Sequence, residues 1–290
     1  MNQKTSAVVV IVILSIIWSS TWLAIKIGLH DLPPFLSSGI RFFIAFITLS
    51  LYAVKLKLRL PKDLKTHLFF AYFSVINFTI GYGLVYWGEQ YINSGLTSVL
   101  FSVMPFYVAV LSIKLLPSEE ITLKKILGIM VGFIGVAIIF QDQLQFSHPW
   151  APYGMAAVLI SPAFSAWGTI LGKKARGKLH AVTLTTFPLF YTSLSLLLLH
   201  VLFEQDSGFT FTLPAVASLF YLGIFGTAIA FVLYFWLLKT TSAVLMSLIT
   251  FVTPPLALIW GWLILDEPLT WQLFAGMFII FSGILIVRRA

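Results

Sequence analysis

The sequence predicts an all-α integral membrane protein, with ten transmembrane helices in two inverted five-helix repeats. Three observations predict it. Apolar residues make up 59% of the chain and charged residues only 10%, with a mean hydropathy of +0.99, too few charges to coat a soluble globule. The apolar residues gather into runs that suit a bilayer, whose core of about 30 Å asks for about 20 residues per helix. The second half of the chain repeats the first.

Each span follows from its apolar run. Roughly, the ten are 7–29, 35–56, 66–88, 93–115, 122–140, 151–172, 179–203, 213–238, 241–264 and 270–287. The first is too long for a signal-peptide core and lacks a small-residue cleavage site, so it reads as a retained span. The fifth has an uninterrupted apolar core only from Ile126 to Phe140 and needs Lys124 and Lys125 to snorkel at its end. Sixteen of the eighteen Lys and Arg residues fall on one side when the N-terminus is placed in the cytoplasm; Lys26 and Arg41 lie within spans. By the positive-inside rule both termini are expected in the cytoplasm of a cell whose inner membrane the chain crosses. The same loop placement explains the net charge of +8 better than nucleic acid does.

The repeat is specific. At an offset of 149, Tyr72 meets Tyr221, Trp87 meets Trp236, Ser98 meets Ser247, Val103 meets Val252 and Pro105 meets Pro254. After one skipped residue, Glu119 meets Glu267, Thr122 meets Thr270, Gly128 meets Gly276 and Gly135 meets Gly283. Ten spans divide into five per repeat, and an odd number turns the second copy upside down in the membrane. The expected units are 1–145 and 146–290, joined near the polar Gln141 to Trp150. Duplicated halves of this kind are what transporters with a mid-membrane site between repeats leave in a sequence.

Several residues are candidates for that site. Trp18, Trp22 and Lys26 recur every four residues and share a helical face; Lys26 either snorkels outward or joins the lining. Arg41 falls on the order of 9 Å below the outer end of its helix, where an unpaired charge is costly, and Glu89 is the anionic partner expected for it. Two readings stay open: Lys26, Arg41 and Glu89 form an ion-pair cluster that pins the outer helix ends, or the two cations line a pocket for a carboxylate or phosphate. Glu89 is also the one carboxyl in the first half placed to couple transport to an ion.

Tyr82 and Tyr86 extend an aromatic stripe begun by Phe78, answered in the second repeat by Phe231, Phe235 and Tyr234; packing and ligand contact both fit such a stripe. Ser98 and Ser102, with Ser94, make a small-residue face answered by Ala243 and Ser247, suited to close helix packing or to a cavity wall. Pro105 cannot bond the Phe101 carbonyl, nor Pro254 the carbonyl of Thr250, so each fourth helix carries a freed acceptor and a candidate hinge. Trp167 is a further lining candidate. Glu119 and Glu267, at loop starts before the fifth and tenth spans, suit helix N-terminal capping and gate closure.

The runs "WSSTWLAIK" at Trp18 to Lys26, "LPP" and "RF" between Leu32 and Phe42, "SGLTSVLFSVMPFYVAVLS" at Ser94 to Ser112 and "LITFVTPPLALIWGWLILDEPLT" at Leu248 to Thr270 resemble the drug/metabolite transporter superfamily, EamA type. The first copy departs from "EPLT" with "PSEEIT", two adjacent glutamates. The resemblance implies a ten-helix transporter with a cavity in mid-membrane, exporting small metabolites such as amino acids. Efflux of amphiphilic cations and exchange of nucleotide sugars or phosphate esters are alternatives, the first disfavoured by a lysine where a drug-binding acid would sit. An intramembrane enzyme lacks a buried nucleophile with its base, and a channel does not call for an inverted repeat. No cofactor or metal is expected, and the absence of cysteine removes thiolate sites. Proton coupling and a homodimer are left open.

Overall fold

Within lipid a backbone must satisfy its own hydrogen bonds, and helices do so segment by segment. The computed structural model describes residues 3–58, 61–140, 148–175, 179–265 and 271–289, which form ten helical runs and no strand. We label them α1 (Gln3–Asp31), α2 (Pro34–Lys55), α3 (Leu64–Glu89), α4 (Ser94–Leu115) and α5 (Leu123–Phe140). The second half gives α6 (Ala151–Lys174), α7 (Ala181–Phe203), α8 (Leu213–Leu238), α9 in two pieces (Ala243–Ser247 and Ile249–Leu265) and α10 (Trp271–Arg288). Eight of the ten are long and apolar enough over their described residues to cross a membrane; α5 and α10 complete the set as a tightly packed pair. Their outward faces carry exposed large apolar side chains such as Leu51, Val110, Leu194 and Phe278, as a lipid-facing surface requires.

The two halves use matching devices. Asp63 accepts the Thr66 amide at 2.8 Å to cap α3, and Thr212, 149 residues on, accepts the Ala215 amide at 3.3 Å to cap α8. Asn93 caps α4 through Leu96 N at 2.7 Å, and Ser242 caps α9 through Leu245 N at 3.2 Å, again 149 residues apart. The helix pairs in contact also correspond. Helices α2 and α7 pack on each other, as do α5 and α10; α1 packs on α8 and α9, while α6 packs on α3 and α4.

At the α5–α10 interface the glycines are required by close approach. A Cβ on Gly128 would come within 2.8 Å of the Gly283 carbonyl oxygen, and one on Gly135 within 2.8 Å of the Gly276 carbonyl oxygen. Backbone meets backbone there, as small residues permit.

Four breaks from regular α-helix shape the interior. Helix α3 widens to a π-helix at Ser74–Ile80 and α8 does so at Ile224–Ile229, equivalent stretches in the repeat. Thr227 reinforces the second by donating its hydroxyl to the Leu222 carbonyl five residues back, at 2.8 Å. Helix α4 is interrupted at Ser102 and Val103, just before Pro105, and α9 at Leu248. The carbonyl that Pro254 frees, Thr250 O, accepts the Thr253 hydroxyl at 3.2 Å; Ser161 does the same for Val158 O ahead of Pro162 in α6, at 3.0 Å. A hydroxyl residue just before a proline thus supplies the missing donor.

Candidate functional site

A cavity of about 790 Å³, counted out to its mouth, opens between the halves. Helices α1 to α4 contribute Trp18, Trp22, Arg41, Asn77, Tyr82 and Phe101 to its wall, and α6, α8 and α9 contribute Ser165, Thr169, Phe231, Tyr234, Ser247 and Thr250. Trp18 lies 5.7 Å from Phe231 and 5.4 Å from Tyr234, ring centre to ring centre, and Trp22 lies 5.3 Å from Phe101. These tilted contacts hold large side chains in defined positions.

Polar groups between the rings are tied down by their own helices or their neighbours. Thr169 donates to the Ser165 carbonyl at 3.0 Å, and its hydroxyl meets the Tyr234 hydroxyl at 2.9 Å. Ser247 and Thr250 each donate to the carbonyl three residues back, at 2.7 and 2.8 Å. Trp18 Nε1 donates to Gly226 O at 3.3 Å, in the α8 π segment, so α1 of one half is tied to α8 of the other.

Arg41 is 1% exposed and shows only an edge to the cavity. Its Nε donates to Thr227 Oγ1 at 2.8 Å, Nη1 to the Tyr86 hydroxyl at 3.2 Å and Nη2 to Gly226 O at 3.4 Å. The guanidinium carbon also sits 5.1 Å from the centre of the Tyr82 ring. The π segment of α8 therefore supplies two of its three hydrogen-bond partners.

The structure brings together Trp18, Trp22, Arg41, Tyr82, Tyr234, Ser247 and Thr250 of the residues expected to line a site. The other five stand elsewhere. Tyr86 is fully buried behind the wall as a partner of Arg41. Ser98 and Ser102 are buried and donate to Gly95 O and Val99 O at 2.7 and 2.6 Å, which is the helix-packing role of small polar residues. Trp167 points outward, where its Nε1 donates to the Tyr72 hydroxyl at 3.1 Å.

Lys26 neither snorkels away nor lines the cavity. Its ammonium donates to Glu89 O at 2.7 Å, Ile92 O at 2.8 Å and Gln90 O at 3.4 Å, closing the C-terminal end of α3, where a cation is favoured. The direct ion pairs expected among Lys26, Arg41 and Glu89 are not formed. Neither oxygen of the buried Glu89 carboxyl has a hydrogen-bond partner among the described residues. Pinning of the first helices does occur, but through backbone carbonyls.

The second half holds a matching lysine that sequence reasoning missed. Lys173 in α6 donates to Leu238 O at 2.9 Å and to Thr241 O, at the end of α8. Leu238 and Thr241 are the repeat partners of Glu89 and Ile92. Matching Lys26 with Lys173 drops Ser165 onto Trp18 and Thr169 onto Trp22, and leaves Trp167 off the cavity face. That lysine was the available signal for two lining residues. Asn77 gave no such signal, because its place depends on the π segment that contains it.

Glu119 crosses between halves. Its two carboxyl oxygens accept the Ala243 amide at 3.0 and 2.8 Å, at the N-terminus of α9, and Oε1 lies 3.4 Å from Lys173 Nζ. Glu120 is exposed, so the structure separates the two adjacent glutamates. Pro105 and Pro254 flank the cavity beside the helix breaks, and Glu267 lies outside the described residues.

Comparison with known proteins gives this architecture a family. The model of the EamA-like transporter family matches residues 5–141 and again residues 152–289. An uncharacterized transporter of Bacillus subtilis, YoaV, is 32% identical over 280 residues, which are 94% of each chain. An uncharacterized transporter of Archaeoglobus fulgidus is 31% identical over 274 residues, covering 94% of this chain and 95% of its own. The protein PagO of Salmonella typhimurium is 26% identical over 257 residues, 88% of this chain and 84% of its own. A solved crystal structure at 17% identity shares the fold with a TM-score of 0.79, covering 97% of each chain. Two matches in tandem and relatives named as transporters along nearly the full length lead to one conclusion: the chain is a multi-pass membrane protein that belongs to the EamA-like transporter family.

Proposed function

We propose that this protein is a secondary transporter that exports small, partly apolar metabolites, amino acids among them, by alternating access. The observation that carries the reading is the cavity whose wall is shared by helices of both halves. A site between two repeats opens to either side as the halves rock against one another. The units are residues 1–145 and 146–290, inverted with respect to each other, and the loop charges put both termini in the cytoplasm of a cell whose inner membrane holds the protein.

In this reading Glu119 is a gate residue. It lies at the end where the loop lysines gather, and it joins the first half to the α9 N-terminus and Lys173 of the second. Opening on the cytoplasmic side breaks that junction, with the interrupted stretches before Pro105 and around Leu248 as hinges. Efflux of amphiphilic cations is disfavoured because no Asp or Glu is found on the cavity wall among the described residues.

Purified protein in proteoliposomes tests the proposal, with flux measured for a panel of amino acids and amphiphilic cations, with and without a proton gradient. Saturable flux with trans-stimulation is expected. Flux that rises linearly with concentration and ignores substrate on the far side would indicate a pore. A gradient dependence abolished by Glu89→Gln would add proton coupling through that carboxyl.

A further inference from the structure

We propose that the wall around Arg41 and Trp22 is a carboxylate subsite, and that the protein carries organic carboxylates, with or without an amino group, that have an aromatic or branched apolar body. The inference rests on the transporter reading and names the substrate class of the same cavity. It begins with a surplus of donors. A guanidinium has five N–H groups, and Arg41 spends three on Thr227, Tyr86 and Gly226, leaving two. Trp22, 8% exposed and on the same wall, has a buried Nε1–H with no hydrogen-bond partner among the described residues. Tyr82 and Tyr86, whose rings stand against the Arg41 guanidinium, belong to the same buried cluster as Trp22.

The charges point the same way. Arg41 has no carboxylate within 4.0 Å among the described residues, and it is the only charged residue on the described wall. Lys26 and Arg41 face one buried carboxyl, Glu89, which pairs with neither. Even with Glu89 ionised, these three side chains together carry one positive charge in excess. A buried cation without a counter-ion is costly, and a bound carboxylate removes that cost while accepting the spare N–H groups in a bidentate geometry suited to guanidinium.

The rest of the wall sets the body of the ligand. Trp18, Phe101, Phe231, Tyr234 and Phe235 present ring faces and edges, with Met104 and Met246 adaptable beside them. Toward an ammonium group the wall offers Asn77, hydroxyl lone pairs and ring faces, but no anionic side chain among the described residues. Only a carboxylate meets an opposite charge on this wall, so removal of the carboxylate charge should weaken binding far more than removal of an ammonium.

Four compounds with one phenylalkyl body separate the outcomes: hydrocinnamate, its primary amide, phenethylamine and phenylalanine. Binding is measured calorimetrically to the purified full chain in detergent, which reads the site whether or not transport occurs. Hydrocinnamate is expected to bind at least as tightly as phenylalanine and about ten- to a hundredfold more tightly than the amide, with phenethylamine weakest. Trp22→Phe, which removes one N–H and keeps a ring, should narrow the acid-to-amide ratio several-fold. Arg41→Gln should bring it close to unity where that variant folds. Equal binding of acid and amide, preference for the amine, an unchanged ratio in Trp22→Phe, or no binding of any of the four would each overturn the subsite. Binding of the acid without flux in liposomes would instead count against the transporter reading alone.

Discussion

Replacing Glu119 tests the junction between the halves most sharply, because the neighbouring Glu120 is its internal control. The Glu119 side chain is 9% exposed and that of Lys173 6%, with 3.4 Å between Oε1 and Nζ. At an effective dielectric constant of about 20 the gross attraction is about 5 kcal/mol, much of which desolvation of both groups offsets. Removing one partner is more damaging than the net value of the pair, since the other charge stays buried; about 3 kcal/mol is expected for Glu119→Ala. The Ala243 amide loses its acceptor in the same change. Glu119→Gln keeps an acceptor for that amide and should cost about half as much. Glu120→Gln should stay within about 0.5 kcal/mol of the parent, as exposed substitutions do. Denaturant unfolding in detergent, followed by tryptophan fluorescence, reads all three. If Glu119→Ala were as stable as the parent, or Glu120→Gln cost as much, the charge junction would not hold the two halves as described.

Three further tests rest on the packing. Gly135→Leu forces a side chain into the 2.8 Å gap to the Gly276 carbonyl and should destabilise by about 3 kcal/mol or more, whereas Gly208→Ala, with nothing within 4 Å, should be neutral; comparable unfolding midpoints would contradict the close α5–α10 contact. Thr253→Val removes the donor to the Thr250 carbonyl ahead of Pro254 and should cost about 1 kcal/mol in the same assay; an unchanged midpoint would mean that carbonyl finds another donor. Trp167→Phe loses only the outward bond to Tyr72, so transport should persist, while Thr169→Val on the wall should raise the KM; the reverse order in flux measurements would move the cavity to the other face of α6.

Much of the fold is written in hydropathy and in the offset of 149. All ten helices lie within four residues of the runs expected, because about 20 apolar residues in lipid have one low-energy form. The prolines in the fourth and ninth helices announced the breaks, since a missing N–H is a local fact. The π segments are different. Which carbonyl each amide chooses depends on neighbouring helices, and no residue in Ser74–Ile80 or Ile224–Ile229 demands the wider turn.

Arg41 illustrates the consequence. Its depth showed that it needed partners, and the sequence pointed to Glu89; two of the three partners it takes lie 185 and 186 residues away, in the other half. Lys173 hid in an apolar run that aligns tolerably at several offsets, so the register of α6, and with it Ser165 and Thr169, was not legible. The choice between Glu119 and Glu120 was closed to sequence for another reason: both lie in a loop, where no periodicity assigns a face.

Alternating access requires that one cavity between the halves be reached in turn from the two sides of the membrane. The chain contains no cysteine, so a single Ser165→Cys places a thiol on the cavity wall without any background. Its reaction with a small, membrane-impermeant thiol reagent should be measured from each side in turn, with and without saturating substrate. Modification from both sides, slowed from both by substrate and accompanied by no ionic conductance, is the result expected. A thiol reachable from one side only under every condition, or a continuous conductance through the protein, would contradict alternating access.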